Sequence, residues 1–488
     1  MKHLRLRAAA LALGLCVGPL LAGMAQSAQL APHTAPELLA LHRAFTGWSF
    51  QEGTVQNVRL TGTDGGLALT EVRSRAGFRR TRTTSGGLAL SNGFDGTHFW
   101  QTDINGIRVD AGAARARLER AVFDVLNERF ESSKTRFGSA AAFEGSRFES
   151  VRIEPSETPP IDLVIDPQSG KLLAAIIDPD GASFKIRNIQ YADVGGGKKV
   201  IRAWTDNSNT YSFSTVRINE GVEAAALRPP PETLSYREAG ENGSSFVVRP
   251  TGIYVVGSFN GVKGTFKVDS GATCVLLSAA FAKRAHLTGG VSTRVGTFGD
   301  DLSAMITSAD VVELPAVHIE HLGVFVAPDA LDADGVVGFP YLSLVRLEVN
   351  SAQDRVSARL ARKTAMQGNV DFYGFVPKVD VTLPWSGARI SVVVDTGAEN
   401  AVYLPVQFLR VGLEARIEGN AVGKKISGLP CATMNDVRLG ITTIDSGKAC
   451  FFNTPLMGNA LLGILGYEVL RSTPFVLDYA NNEFSVLR

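Results

Sequence analysis

The feature that most restricts what this chain can fold into is a repeat in its second half. Residues 256–272 read VGSFNGVKGTFKVDSGA, and residues 382–398 read TLPWSGARISVVVDTGA. In each, an apolar stretch meets a turn with glycine at the matching position, Gly261 or Gly387. A second apolar stretch then runs into Asp-Ser/Thr-Gly-Ala. Both read as hairpins that deliver an aspartate, Asp269 or Asp395, to the end of a strand. The match continues downstream, where GVVGFPYL at 335–342 aligns with GILGYEVL at 463–470. The interval from Asp269 to Gly338 is nearly that from Asp395 to Gly466, and a further strand pattern ends each copy, at 345–360 and 475–487. Agreement over about 90 residues means two copies of one folding unit.

The short motif alone carries little weight. Average residue usage predicts roughly 0.3 occurrences of Asp-Ser/Thr-Gly in a chain of this length, and this one has three. The third, Asp445-Ser446-Gly447, is followed by Lys448 instead of alanine, and its apolar-apolar-glycine comes too soon. An isolated Asp-Ser-Gly is ordinary turn chemistry. The duplicated frame is what sets Asp269 and Asp395 apart.

With their active-site-like loops and later apolar-apolar-glycine segments, both copies resemble retropepsin-type aspartic protease lobes. The resemblance covers about 246–488 and implies a mainly β chain with two double-ψ β-barrel-like lobes, 246–363 and 370–488. It implies catalytic Asp269 and Asp395, with Ser270, Gly271, Thr396 and Gly397 supporting the loops and both hydroxyls bonding across to the opposite loop. It further implies a protein or peptide substrate, no cofactor, and a site built from one chain without a partner chain. Flap hairpins are expected at 296–299, with Gly296 and Gly299, and at 423–428, with Gly423 and Gly428. Loop length equally permits ordinary surface hairpins there.

The chemistry explains the residue types. Two carboxylates roughly 3 Å apart cannot both ionise, so they share a proton. The ionised member accepts a proton from water while the protonated one donates to the scissile carbonyl. Glycine after each hydroxyl residue lets backbone approach the carboxylates. Pepsin-like lobes carry a hydroxyl where Ala272 and Ala398 stand. Alanine cannot donate to a carboxylate, so the expected pH optimum is less acidic.

Upstream, residues 30–227 form a separate α+β region. Thr34 to Glu37 is a capping-box pattern with an early proline, ahead of Leu38, Leu41, Phe45 and Trp48 at helical spacing. A second helix fits 113–130, and short strands with Gly, Asp and Asn turns fill the rest. The segment Phe94-Asp95-Gly96-Thr97 before Trp100, and the turns at Asp166-Pro167 and Asp178 to Gly181, resemble the lipoprotein-carrier (LolA-like) fold, a curved antiparallel sheet around helices. That resemblance implies lipid or lipoprotein contact; the same turns suit a spacer, folding aid or prodomain without a ligand. Residues 228–245, with three prolines followed by a Gly/Ser-rich run, read as a linker.

Basic residues ahead of the apolar run Ala8 to Ala22, then small residues, read as a signal peptide over 1–25. Export to the periplasm of a Gram-negative cell, or beyond, is the expectation. With 49 Lys+Arg against 48 Asp+Glu, no concentrated positive field for nucleic acid exists. Cys431 and Cys450 could pair, contributing about 3 kcal/mol, or stay as buried thiols; Cys274 reads as a small core residue. His318 and His321 would face opposite sides of a strand, so no metal site is expected. A rival of another class is a non-catalytic periplasmic protein that binds peptide or lipid on lapsed lobes, although it would need neither aspartate.

Overall fold

The computed structural model describes residues 33–487 other than 131–133, 138–140, 144–145, 179–182, 207–208, 241–242, 297–300, 329–330, 332, 365–367, 384–386, 399–401, 406–414, 422–423, 435–436, 440–441, 445–446 and 453–462. The signal-peptide reading of 1–25 lies outside the described residues. The protein is mainly β. No helix among the described residues is long and apolar enough to cross a membrane.

The first described helix, Ala35–Thr46, starts where its chemistry says it should. The Thr34 hydroxyl accepts the Glu37 N–H while the Glu37 carboxylate accepts the Thr34 N–H, and Gly47 ends the helix in a left-handed turn. The second helix runs over Ala113–Leu126, four residues shorter than its apolar pattern suggested. Its end is set by Asn127, whose side chain bonds back to the Phe123 carbonyl, and by Glu128, whose φ of 56° turns the chain away. Both helices pack their apolar faces, Leu38, Val122 and Val125 among them, against a 14-stranded sheet. Within it Asn57–Asp64 pairs with Thr210–Ile218, so strands from the start and end of this region lie side by side.

Each lobe repeats one arrangement. In the first, the hairpin of Gly252–Phe259 and Val262–Val268 turns at Asn260 and Gly261, both with positive φ, as a tight primed turn requires. The short strand Gly335–Val337 then lies parallel to Val262–Val268 and antiparallel to Val275–Ser278. In the second lobe Gly463–Gly466 lies parallel to Arg389–Asp395 and antiparallel to Val402–Pro405. Threading a strand between the one that ends in the aspartate and the one that follows fixes the intervening loop on both sides.

The lobes share a base. Val345–Asn350 of the first pairs antiparallel with Phe475–Asp478 of the second in a four-stranded sheet, and one continuous buried core runs through both. Residues 235–238, inside the stretch read as a linker, form a strand against Val317–Ala327 of the first lobe. All four are exposed. The backbone ladder seats them, helped by a 3.3 Å bond from the Ser235 hydroxyl to the Glu320 carboxylate, which is why no apolar pattern announced the strand.

Candidate active site

The two aspartate loops meet where the lobes meet. The Ser270 hydroxyl donates to the Val394 carbonyl at 2.7 Å and accepts the Thr396 N–H at 2.9 Å. Thr396 reciprocates, donating to the Val268 carbonyl at 2.9 Å and accepting the Ser270 N–H at 3.0 Å. Both residues are fully buried, so six polar groups with no access to water satisfy one another through four bonds across the lobe boundary.

The carboxylates face each other on top of this frame. Gly271 N–H and Gly397 N–H each donate to the Oδ1 of the aspartate two residues before, both at 2.8 Å, and Ala398 N–H adds a 3.0 Å bond to Asp395. The glycines are sterically required. A Cβ at Gly271 would fall 2.5 Å from the Asp395 carboxyl carbon, and one at Gly397 would crowd the Asp269 carboxyl more closely still. Each lobe's glycine therefore makes room for the other lobe's aspartate. Behind the loops, Phe339 N–H donates to the Ala272 carbonyl and Tyr467 N–H to the Ala398 carbonyl, a matched pair of braces from the apolar-apolar-glycine segments.

Burial, the charge of Asp395 and a hydrogen bond shared with it push the Asp269 carboxyl well above the usual carboxylate range. Two opposing influences act on it: the Lys267 ammonium and the Gly271 N–H. Lys267 is nearly buried, and its Nζ donates to the Gly397 carbonyl of the opposite loop at 2.9 Å. Tyr479 approaches from the shared base, its hydroxyl donating to the Ser270 carbonyl at 3.2 Å. Neither residue was singled out from sequence. Lys267 had a signal, as a charge in an apolar strand where the second copy has Val393; Tyr479 had none.

The remaining sequence candidates are scattered. Gly296 closes a strand, Val291–Gly296, that pairs with Asp301–Leu314, while Gly299 lies outside the described residues. Gly423 also lies outside them, and Gly428 sits within the strand Lys424–Met434, away from the turn of its hairpin. Cys431 and Cys450 are bonded and are direct partners on adjacent strands. Cys274 is a buried thiol pushed up to about 12 by burial and by the charges of Asp269 and Asp103. His318 is buried against Glu313 at 2.5 Å, whereas His321 points into solvent. No group of three or more His, Cys, Asp or Glu among the described residues is arranged to hold a metal ion.

Comparison with known proteins agrees for the first lobe. A family model described as aspartyl protease matches residues 255–341, from the hairpin that delivers Asp269 to the brace behind it. No curated protein matches the chain. The chain thus carries an aspartyl-protease-like domain within a mainly β fold.

Proposed function

We propose that the protein is an exported aspartic endopeptidase that hydrolyses peptide bonds with water activated between Asp269 and Asp395. The observation that carries this reading is the reciprocal buried frame at the lobe boundary: four cross-lobe hydrogen bonds and two glycines hold two half-buried carboxyls in contact. Bringing like charges together under burial is costly unless they share a proton, and that proton is what the reaction uses.

Asp269 keeps the proton and Asp395 accepts one from the attacking water as its oxygen bonds to the scissile carbonyl carbon. The Asp269 proton passes to the carbonyl oxygen, giving a tetrahedral diol. Collapse breaks the C–N bond; the amine leaves with the proton held by Asp395, and a hydroxyl proton returns to Asp269. The apparent pKa values of such a pair belong to both members. With alanines at 272 and 398, the rate profile should peak at a less acidic pH than in pepsin-like enzymes; a maximum at about pH 2 would contradict this.

The test is cleavage of a mixed peptide library by the wild type, Asp269→Asn and Asp395→Asn, with circular dichroism to check folding. Cleavage by the wild type alone supports the reading. A well-folded wild type that binds peptides without cutting them overturns it and leaves a binding protein.

A further inference from the structure

The N-terminal domain does not stand clear of the first lobe. Its turn at 103–107 runs into that lobe's outer face, where Ile104 shares a buried cluster with Cys274, Leu276, Ile306 and Phe325. The strand geometry explains why a hollow exists there. Along Val275–Ser278, Val275 and Leu277 point into the lobe's core, so Cys274 and Leu276 point the other way. The fit is close: a Cβ at Gly323 would lie 2.9 Å from the Ile104 Cδ1. Asn105 completes the docking, its Oδ1 accepting the Gly323 N–H at 2.6 Å and its Nδ2 donating to the Gly323 carbonyl at 3.4 Å. One side-chain amide thus imitates the two bonds that a neighbouring backbone would offer. The turn is held by Asp103, which accepts the N–H groups of Asn105 and Ile107 although burial pushes its carboxyl up to about 6.

This hollow adjoins the aspartates. Cys274 is five residues past Asp269 and feels the charges of both Asp269 and Asp103. Val336 also borders it, and the next residue, Val337, accepts the Asp269 N–H at 3.1 Å. The hairpin that ends at Gly296 contributes Val295 and Leu302 to its margin, and Leu88 and Leu90 of the N-terminal domain pack against the same cluster.

Resting on the protease reading, we propose that this hollow is a substrate side-chain site for an aliphatic residue, and that the turn at 103–107 occupies it in the substrate's place. An apolar side chain flanked by groups that pair with backbone is what an extended peptide presents to a strand edge. Ile104 and Asn105 present the same pair of features from within the chain. Substrate and N-terminal domain therefore compete, and only molecules with the turn displaced accept peptide. Apparent affinity then falls by the fraction of molecules that are open.

Cys274 lines the hollow and is the free cysteine of the described residues, so its alkylation rate reports opening. In the full chain, Ile104→Ser and the milder Asn105→Ala are expected to speed Cys274 alkylation. They should also raise kcat/KM on peptides about tenfold, chiefly through a lower KM. In the wild type, saturating peptide with an aliphatic residue and a non-cleavable bond should protect Cys274. Variants that are alkylated faster yet cleave no better overturn the proposal, as does efficient wild-type cleavage with no protection by that peptide. Protection of Cys274 without cleavage of any peptide retains the hollow as a peptide site and sinks the protease reading instead.

Discussion

The two lobes are built to one plan and furnished differently. Both thread a short strand behind their aspartate loop, brace it with a backbone N–H, and lend a hydroxyl and a glycine to the opposite side. Among the described residues only the first brings a cation to the aspartates, through Lys267; the N-terminal domain docks on the first at Ile104 and meets the second at Gly112, beside Asp371. The second instead carries a disulfide across adjacent strands. Shared features concern the paired carboxyls, where the proposed chemistry needs two matched halves. The differing ones lie a step away, where each lobe meets its own surroundings.

The largest test of this comparison addresses what the lobes share. Asp269→Asn and Asp395→Asn should each lower kcat on the order of 10³-fold, since one proton donor and one acceptor are both needed; a mutant retaining activity would break the equivalence. Next comes the second lobe's disulfide. Replacing Cys431 and Cys450 with alanine should cost about 3 kcal/mol, measured by denaturant unfolding, with loss confined to signals from that lobe. The cross-lobe hydroxyls follow. Thr396→Ala leaves the Ser270 N–H buried without its acceptor, and Ser270→Ala does the same to the Thr396 N–H. Each should cost about 2 kcal/mol, with Thr396→Ser restoring most of it. Unequal costs would mean that the frame leans on one lobe.

The smallest expected effect sharpens the difference between the lobes. The Lys267 charge favours the ionised form of Asp269, opposing burial and Asp395. Lys267→Met should therefore let Asp269 hold its proton to higher pH, moving the alkaline limb of the rate profile upward. An unmoved limb would reduce Lys267 to a strut on the Gly397 carbonyl.

Much of this was legible because internal repetition is a strong signal. The hairpins around Asp269 and Asp395, and the later Gly338 and Gly466 segments, could be aligned without any structure. Capping chemistry at Thr34 and Glu37 likewise marked a helix start. What could not be read was contact between distant parts of the chain. Ser235–Glu238 pairs with a strand some 80 residues later chiefly through its backbone, and exposed side chains leave no periodicity to find. Tyr479 reaches the Ser270 carbonyl only because the base sheet folds back. The docking of Ile104 depends on the absence of a side chain at Gly323, and a lone glycine in a strand says only that something comes close.

The shared base sheet has a consequence for how the molecule comes into being. A nascent chain translated only as far as residue 470 already contains both aspartates, both glycines and both hydroxyls. It lacks Phe475–Asp478, the strand that fastens one lobe to the other, and Tyr479 beside the Ser270 carbonyl. Until that stretch is made, the base lacks the strand pairing between the two halves and keeps the Tyr467 hydroxyl bond to Ser351. On the protease reading, full hydrolytic competence waits on that pairing, so a chain that stops short of it carries both aspartates in a frame not yet fastened by strands at its base.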